Sequence, residues 1–262
     1  MTTIQEALKI ILQAVPDEGL EHTVDTVKAG DPSQELRGIA TTFLATGAVI
    51  QQATRLGVNL LITHEPVFYN HEDQTDWLEG DPVYLAKRRW IEQGRVVIWR
   101  FHDHWHMHQP DGIYTGMLKE LGWEAFADPY DLSFINLPPR SLAELVGELK
   151  VKLAIPQVRI VGDPQMSCEK IVLSVGAPGG QVEIRALSQT GADVIVCGEI
   201  NEWETSEYVR DAIQSGRRQA LVVLGHVFSE ESGMKYLVDW LKPKFPGVPV
   251  THLPAGSPFS FV

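Results

Sequence analysis

The sequence predicts an α/β fold of two related α/β lobes that arose by an internal duplication, with mainly parallel sheets covered by helices. One observation is that apolar strand-like runs alternate with helix-like segments along the chain, which favours this class. A second is a repeated motif: His102 and His106 follow one apolar run at the spacing with which His226 and Glu230 follow another. The two pairs keep a constant offset, as duplicated units would.

A third observation is a further echo upstream of those pairs. One apolar run ends in His64-Glu65, and a matching run ends in Gly198-Glu199. Open α/β sheets place ligands beyond the carboxyl ends of their strands, so we expect donor atoms to gather there. Because Gly198 stands where the first copy has His64, one asymmetric site built from both halves is expected, rather than two equal sites.

The first half of the chain begins with a helix between Thr3 and Pro16. Thr3 and Glu6 have capping-box spacing, and apolar residues recur at helical intervals after them. Gly57 and Gly94 are expected to end the next two helices. Beyond the first helix, the pattern predicts strands over 37–46, 58–63 and 95–100, and helices over 48–56, 82–93 and 113–121.

The second half repeats this order. The pattern predicts strands over 170–175, 194–197 and 220–224, and helices over 182–189, 203–214 and 231–241. Between the copies, residues 126–164 are expected to form a connector with one helix, capped by Ser141 and Glu144. The proline-rich C-terminal segment predicts a turn and a short final strand.

Composition excludes several classes of partner. A net charge of −12 argues against nucleic acid or an anionic membrane surface, because both require a basic face. A phosphate-bearing substrate is compatible with this charge, since bound divalent metals would reverse its local sign. Cys168 and Cys197 are too few for a disulfide framework, so a cytoplasmic location is expected. No apolar run approaches the roughly 20 residues of a membrane span.

The histidines indicate the chemistry. Four of the nine lie between residues 101 and 108. Imidazole and carboxylate groups are the usual protein ligands of zinc, iron, manganese and related ions. On an extended segment His102, His104 and His106 would share one side, and Asp103 would face away. A solvated, histidine-rich loop is the alternative, but the matched pair in the second half favours a metal site.

Taken together, the motifs resemble those of the Nif-three-like dinuclear metal-centre family, whose members are often named type-two GTP cyclohydrolase I homologues. The likeness covers nearly the whole chain. The family's His-His-Pro motif falls on His64-Glu65-Pro66, and its His-Thr-Asn-Leu-Asp motif falls on residues 102–106. Further matches lie at residues 137–145, 158–163, 191–199 and 225–230.

The resemblance implies a set of metal ligands: His64, Glu65, His106, His226 and Glu230. Glu65 stands where the family has a second histidine, and His106 where it has a bridging aspartate. An imidazole binds one ion through one nitrogen, whereas a carboxylate can share its two oxygens. One or two Zn, Fe, Mn or Ni ions per chain are therefore expected. His102, Asp103 and His104, which have no ligand role in this assignment, are the candidates for proton transfer.

The resemblance also implies an architecture. The C-terminal segment should return to the first domain, which gives a metal-site lobe of residues 1–125 with about 217–262. Residues from about 126 to 216 would form the second lobe. Family members commonly assemble as hexameric rings whose metal sites face an inner cavity, so a homo-oligomer of this kind is expected.

Three functions are compatible with these features. The first is a metal-dependent hydrolase of a small, nucleotide-like substrate, which the resemblance suggests to be GTP cyclohydrolase-like. The second is a metal carrier without turnover, and the third is a scaffold that binds a protein partner and uses the metal as a structural tie. No P-loop, dinucleotide-binding fingerprint or Ser/His/Asp order indicates another enzyme class. We favour the hydrolase.

Overall fold

The structure, a computed structural model, describes residues 2–16 and 19–262. The chain divides into two compact units. The first comprises Met1–Ile113 with Gly233–Gly256, and the second comprises Tyr114–Ser232 with Ser257–Val262. The expected boundaries placed residues 114–125, 217–232 and 257–262 in the first lobe. Residues 217–232 group with the second unit, whose strand at Val194–Cys197 pairs with the strand at Ala220–Val223.

Helices and strands alternate along the chain, which confirms the α/β class. The strands are β1 (Val27–Ala29), β2 (Ile39–Thr42), β3 (Leu60–Thr63), β4 (Val97–Arg100), β5 (Phe134–Ser141), β6 (Arg159–Val161), β7 (Ser167–Ser174), β8 (Val194–Cys197), β9 (Ala220–Val223) and β10 (Val250–His252). The helices are α1 (Ile4–Leu12), α2 (Gly47–Arg55), α3 (Pro82–Gly94), α4 (Asp103–Met107), α5 (Gly112–Leu121), α6 (Leu142–Lys152), α7 (Gly180–Thr190), α8 (Glu207–Gln214) and α9 (His226–Leu241).

The first unit is built on a sheet with the strand order β1-β4-β3-β2-β10. Strands β10, β2, β3 and β4 run parallel, and β1 closes the sheet antiparallel to β4. The C-terminal strand β10 therefore returns to this sheet. Every residue of β2, β3 and β4 is buried, as expected of parallel strands that helices cover on both faces.

The second unit is built on a sheet with the order β5-β7-β8-β9-β6. Its three central strands are parallel, and both outer strands run antiparallel to their neighbours. The predicted connector at residues 126–164 supplies those two outer strands, so it is part of the second sheet rather than a linker. Strand β5 contains Pro138 and Pro139. Proline is tolerated there because β5 is an edge strand, where a missing N–H removes no essential hydrogen-bond donor.

The two sheets repeat one topology. In each, three consecutive strands lie side by side in parallel, with β2, β3 and β4 in the first sheet matching β7, β8 and β9 in the second. Each third strand pairs antiparallel with a short strand that precedes the set, β1 or β6. The predicted equivalence of the strands at 95–100 and 220–224 is confirmed. The copies differ at the opposite edge, where β10 is parallel and β5 antiparallel.

Capping residues fix the starts of helices α1 and α6. The capping boxes of Thr3 with Glu6 and of Ser141 with Glu144 are both formed, at the starts of α1 and α6. A Gly-Asp-Pro turn also follows the short antiparallel strand in both copies, at residues 30–32 and 162–164. The aspartate of each turn accepts the N–H of the residue two positions later, at 2.9 Å in both. The turn is a third repeated feature of the two halves, and the repeated Gly-Asp-Pro sequence could have predicted it.

Several helix boundaries differ from the prediction, and those of α3 and α9 have a structural consequence. Helix α3 continues through Gly94, and Arg95 takes the left-handed position at φ 49°. Gly94 is needed inside the helix because a Cβ there would lie 2.2 Å from the Thr54 hydroxyl. Helix α9 begins at His226 rather than at Glu231, so His226 and Glu230 lie one turn apart on a helix and not on a loop.

Among the residues that the structure describes, no helix combines the length and the apolar character needed to cross a bilayer.

The core of the second unit contains an acidic group, Glu183 of α7. Its side chain is fully buried, and Thr205 donates a hydrogen bond to one carboxyl oxygen. Burial raises the pKa of Glu183, and the neighbouring Glu204 adds to the rise, although contacts with Thr205 and Cys197 oppose it. The folded protein therefore retains a proton on Glu183 at a pH where the unfolded chain has lost it.

This proton makes the stability of the second unit depend on pH. As pH rises above the ordinary glutamate pKa of 4.5, the unfolded chain binds fewer protons than the folded protein, so stability falls until Glu183 ionises in the fold. Glu183→Gln should remove this loss, giving a flatter dependence of the urea midpoint on pH and a higher midpoint than the parent at pH 8. Glu169→Gln, at an exposed position of β7, is the control and should follow the parent. An unchanged slope for Glu183→Gln would contradict the assignment.

Candidate metal centre

His64 and the histidines of the 102–108 segment lie at the carboxyl ends of two neighbouring parallel strands, β3 and β4. Thr63 of β3 pairs in register with Arg100 of β4. The next residue of the first strand, His64, is fully buried, and its backbone N–H donates to the carbonyl of Thr42. Strand β4 continues into the histidine-rich segment. Parallel pairing therefore brings the His64-Glu65 end and the 102–106 segment to the same sheet edge, as expected.

Residues 103–107 form the short helix α4, and the expectation of an extended segment is wrong. The cause is Asp25, whose buried carboxylate accepts the backbone N–H groups of His102, Asp103 and His104 at 2.7, 3.0 and 2.9 Å. These are donors that the first turn of a helix leaves without intrahelical partners. Helical spacing then places His102 and His106 on the same face, because residues four apart are neighbours there.

Three imidazoles converge at this edge. One ring nitrogen from each of His64, His102 and His106 lies within 4.8 Å of the others, so the three could hold a metal ion. The rings of His64 and His102 stack with a centroid distance of 4.5 Å, and His106 meets both at 5.0–5.1 Å with its ring turned edge-on. His102 was expected to transfer protons; the structure places it among the candidate ligands.

The orientation of each ring is set by an oxygen at its Nδ1. His64 Nδ1 lies 3.3 Å from the carbonyl oxygen of Phe101, His102 Nδ1 lies 2.9 Å from Asp103, and His106 Nδ1 lies 2.8 Å from Asp111. A carbonyl or carboxylate oxygen can only accept, so each Nδ1 donates its proton and Nε2 carries the lone pair. This is the arrangement that metal-ligating histidines usually have.

Glu65 adds a carboxylate to the same edge. One of its oxygens lies 3.7 Å from His102 Nε2, and the other lies 3.7 Å from the guanidinium of Arg100. Arg100 is fully buried and donates from Nε to the carbonyl of His64 at 3.0 Å. The arginine therefore fixes the backbone before Glu65 and balances the negative charge of its carboxylate.

The remaining proton-transfer candidates have other contacts. Asp103 accepts hydrogen bonds from Thr23 and from the backbone of Val24, in addition to His102. Burial would raise the pKa of Asp103, but these hydrogen bonds outweigh it and lower the pKa, so Asp103 is ionised. His104 turns to Asp25, with its Nδ1 2.8 Å from the carboxylate. It is held as part of the anchor of α4.

The second unit contains the other two predicted ligands. His226 opens α9, with its Nδ1 3.1 Å from Glu199 and its Nε2 3.0 Å from Glu230. Glu230 is almost fully buried, whereas Glu199 is exposed. The pairing echoes the first unit, since in both copies the histidine after the third strand faces the glutamate after the middle strand. The assignment of His226 and Glu230 as ligands stays a prediction.

The sequence analysis did not predict a role at the site for several residues that shape it. Asp25 contacts residues 77 to 79 positions later, and no local pattern marks such a pairing. Asp111 lies five residues after His106, beyond a cis Gln109-Pro110 peptide, and its spacing fits no ligand motif. Arg100 was recognised only as the end of a strand.

The comparisons with known proteins agree with this fold. A model of the family described as Duf34/NIF3 (NGG1p interacting factor 3) matches residues 2–256. A Vibrio cholerae protein named GTP cyclohydrolase 1 type 2 homolog is 24% identical over 234 residues, which cover 86% of each chain. A Staphylococcus aureus structure superposes with a TM-score of 0.79 at 19% identity and covers 100% of this chain and 99% of its own.

A solved structure of a Bacillus cereus protein related to NIF3 has a TM-score of 0.77 at 14% identity, again over 100% of this chain and 99% of that one. At such identities the solved structures establish the fold alone. The family model, in contrast, matches residues 2–256, a range that contains every strand. The resemblance inferred from the motifs is thereby confirmed, and the chain belongs to the Duf34/NIF3 family.

Proposed function

We propose that this protein binds a divalent transition metal ion through His64, Glu65, His102 and His106, and that it is a metal-dependent hydrolase of a small, nucleotide-like substrate. The observation that carries the proposal is the convergence of three imidazoles, each with an oxygen at its Nδ1. A solvated histidine-rich loop would not need an acceptor at every ring. The donors present fit a metal ion.

The donor set favours particular metals. Imidazole nitrogens with a carboxylate suit Zn, Fe, Mn or Ni, whereas Mg and Ca prefer oxygen ligands alone. Thiolates are not involved: Cys168 and Cys197 are buried in the second unit. Burial raises the pKa of Cys168 to about 11 and that of Cys197 well above its usual value, which disfavours the thiolate form that metals require.

The roles of the chain's own residues follow from their contacts. When bound, a divalent ion supplies a Lewis acid that polarises the substrate bond under attack. Asp103 and Asp111 accept hydrogen bonds from Nδ1 of His102 and His106. These bonds make the opposite ring nitrogens better metal ligands and fix the orientation of both rings. Arg100 holds the backbone of His64 and faces the carboxylate of Glu65, so it limits the movement of both.

The rest of the proposal depends on the family. The names of relatives such as the Vibrio cholerae GTP cyclohydrolase 1 type 2 homolog supply the nucleotide class of the substrate. His226 and Glu230 are retained as further proposed ligands, together with one or two ions per chain. A homohexameric ring is proposed on the same basis, and sedimentation velocity would test it.

A first prediction concerns the acceptor at His106. Asp111→Asn removes the negative charge at His106 Nδ1 and should weaken metal affinity about 10- to 100-fold without unfolding the protein. Competition with a chelator on Zn-loaded, untagged protein measures this change. Asp76→Asn, on an exposed 3-10 turn, is the control and should retain the parental affinity. Equal affinities for both variants would show that His106 is not a ligand.

A second prediction separates a hydrolase from a carrier. Metal-depleted protein should not consume GTP, whereas protein reloaded with Zn, Fe, Mn or Ni should, because the Lewis acid is required for attack. His106→Ala should abolish that turnover, and His108→Ala should not, since the partly buried His108 bonds to the carbonyl of Pro110 outside the histidine cluster. Full metal binding by the parent, without turnover of GTP or of a panel of nucleotides under any metal, would favour the carrier.

A further inference from the structure

The segment that follows Glu65 is a compact loop, residues 66–75, here called the clamp loop. It is closed by Asp73, whose Oδ1 accepts the backbone N–H groups of Val67 and Phe68, both at 2.7 Å. Tyr69 and Asp73 have positive φ values of 68° and 56°, which are uncommon for non-glycine residues. Contacts from the surrounding structure must therefore favour this conformation of the clamp loop.

Three buried cations from three different elements supply such contacts. Arg100 of β4 donates to the carbonyl of His71. Lys28 of β1 lies 3.5 Å from Asp73, with both side chains nearly buried. Lys87 of α3 donates to the carbonyl of Val67 at 2.6 Å. Each cation faces the loop rather than solvent, so the loop is fixed from the sheet and from the helix.

Lys87 is the most unusual of the three. Its side chain is only 4% exposed, and its ammonium lies 5.1 Å from the ring centroid of Tyr69 and 5.9 Å from that of Phe68. Burial lowers the pKa of Lys87 to about 8, although Asp73 opposes the shift. Burying an ammonium group is costly, and the contacts that offset the cost are with the clamp loop.

The position of Val67 links Lys87 to the metal site. Val67 lies two residues after Glu65, with only Pro66 between them. Before Glu65, the backbone is held by hydrogen bonds from the N–H groups of His64 and Glu65 to the carbonyl of Phe43. Lys87 fixes the chain on the other side. The Glu65 carboxylate is thus aimed at His102 from a backbone that is held at both ends.

The second copy has no loop equivalent to the clamp loop. There Glu199, the equivalent of Glu65, is separated by only Ile200 and Asn201 from the π-helix at Glu202–Ser206. Glu199 is also exposed, with 62% of its side chain accessible, against 14% for Glu65. The copy that carries His64 therefore has the longer, clamped loop and the more fixed glutamate.

We propose that Lys87 is a positioning residue of the metal centre: by holding Val67 it fixes the clamp loop and directs Glu65 toward His102. The proposal rests on the proposed function, since Glu65 must be a ligand for its direction to affect the metal. Lys87 touches neither the metal ligands nor their hydrogen-bond acceptors. Its effect on the site is transmitted through the backbone from Val67 to Glu65.

The experiment compares Lys87→Met with Arg89→Met on the full chain. Both variants remove one positive charge from α3, but Arg89 is exposed. Hydrogen exchange of the metal-free proteins, followed by mass spectrometry, should show the amides of residues 66–75 exchanging about tenfold faster in Lys87→Met alone, because a charged hydrogen bond is lost. Lys87→Gln retains a neutral donor and should be intermediate; it also serves as the second variant if Lys87→Met does not fold.

Titration with Co²⁺ tests the link to the metal. Lys87→Met should raise the Kd for Co²⁺ about tenfold and change its visible spectrum toward that of Glu65→Gln, because the carboxylate donor is misdirected. Adding Lys87→Met to Glu65→Gln should have no further effect, since the two act through one group. Parental exchange in the clamp loop, or independent effects in the double variant, would overturn the proposal. Absence of Co²⁺ binding by the parent would instead refute the proposed function, and the positioning role with it.

Discussion

The geometry of the candidate metal centre depends on one buried carboxylate, Asp25. A five-residue helix such as α4 has no stability of its own in water, and the residue at its start offers no side-chain cap. Asp25 supplies the acceptor from outside the helix, binding three backbone N–H groups and the imidazole of His104. A buried carboxylate needs such partners as much as the helix needs an acceptor. Each group therefore stabilises the other.

This contact decides where the side chains of His102, His104 and His106 point. In a helix, side chains point in directions about 100° apart, so neighbouring histidines separate instead of alternating between two sides. His102 and His106 join His64, and His104 is used to anchor the helix. Had the segment been extended, His104 would have faced the site together with the other two. The tertiary contact thus selects which imidazoles are available for a metal.

The parallel strands and most helices could be predicted from the sequence because their signals are local, whereas the antiparallel strands β1, β5 and β6 were not predicted. Buried parallel strands appear as continuous apolar runs, and the caps of α1, α3 and α6 are marked by residues within one turn. The helical state of residues 103–107 could not be predicted, since it depends on Asp25 far upstream. For the same reason Asp111 and Arg100 escaped notice. Sequence motifs predicted a set of metal ligands that did not include His102, and the groups that orient the converging imidazoles are defined only by the fold.

The two sheets share one topology but carry different side chains at their carboxyl ends. Gly198, which stands where the first copy has His64, limits how similar the two ends can become. A Cβ at this position would lie 2.4 Å from the Ser229 hydroxyl and 2.5 Å from the carbonyl oxygen of Gly176. A side chain at position 198 would therefore overlap neighbouring atoms. A histidine there would require Ser229 and the backbone at Gly176 to move first, so the two copies cannot become equivalent at this position unless the second unit repacks.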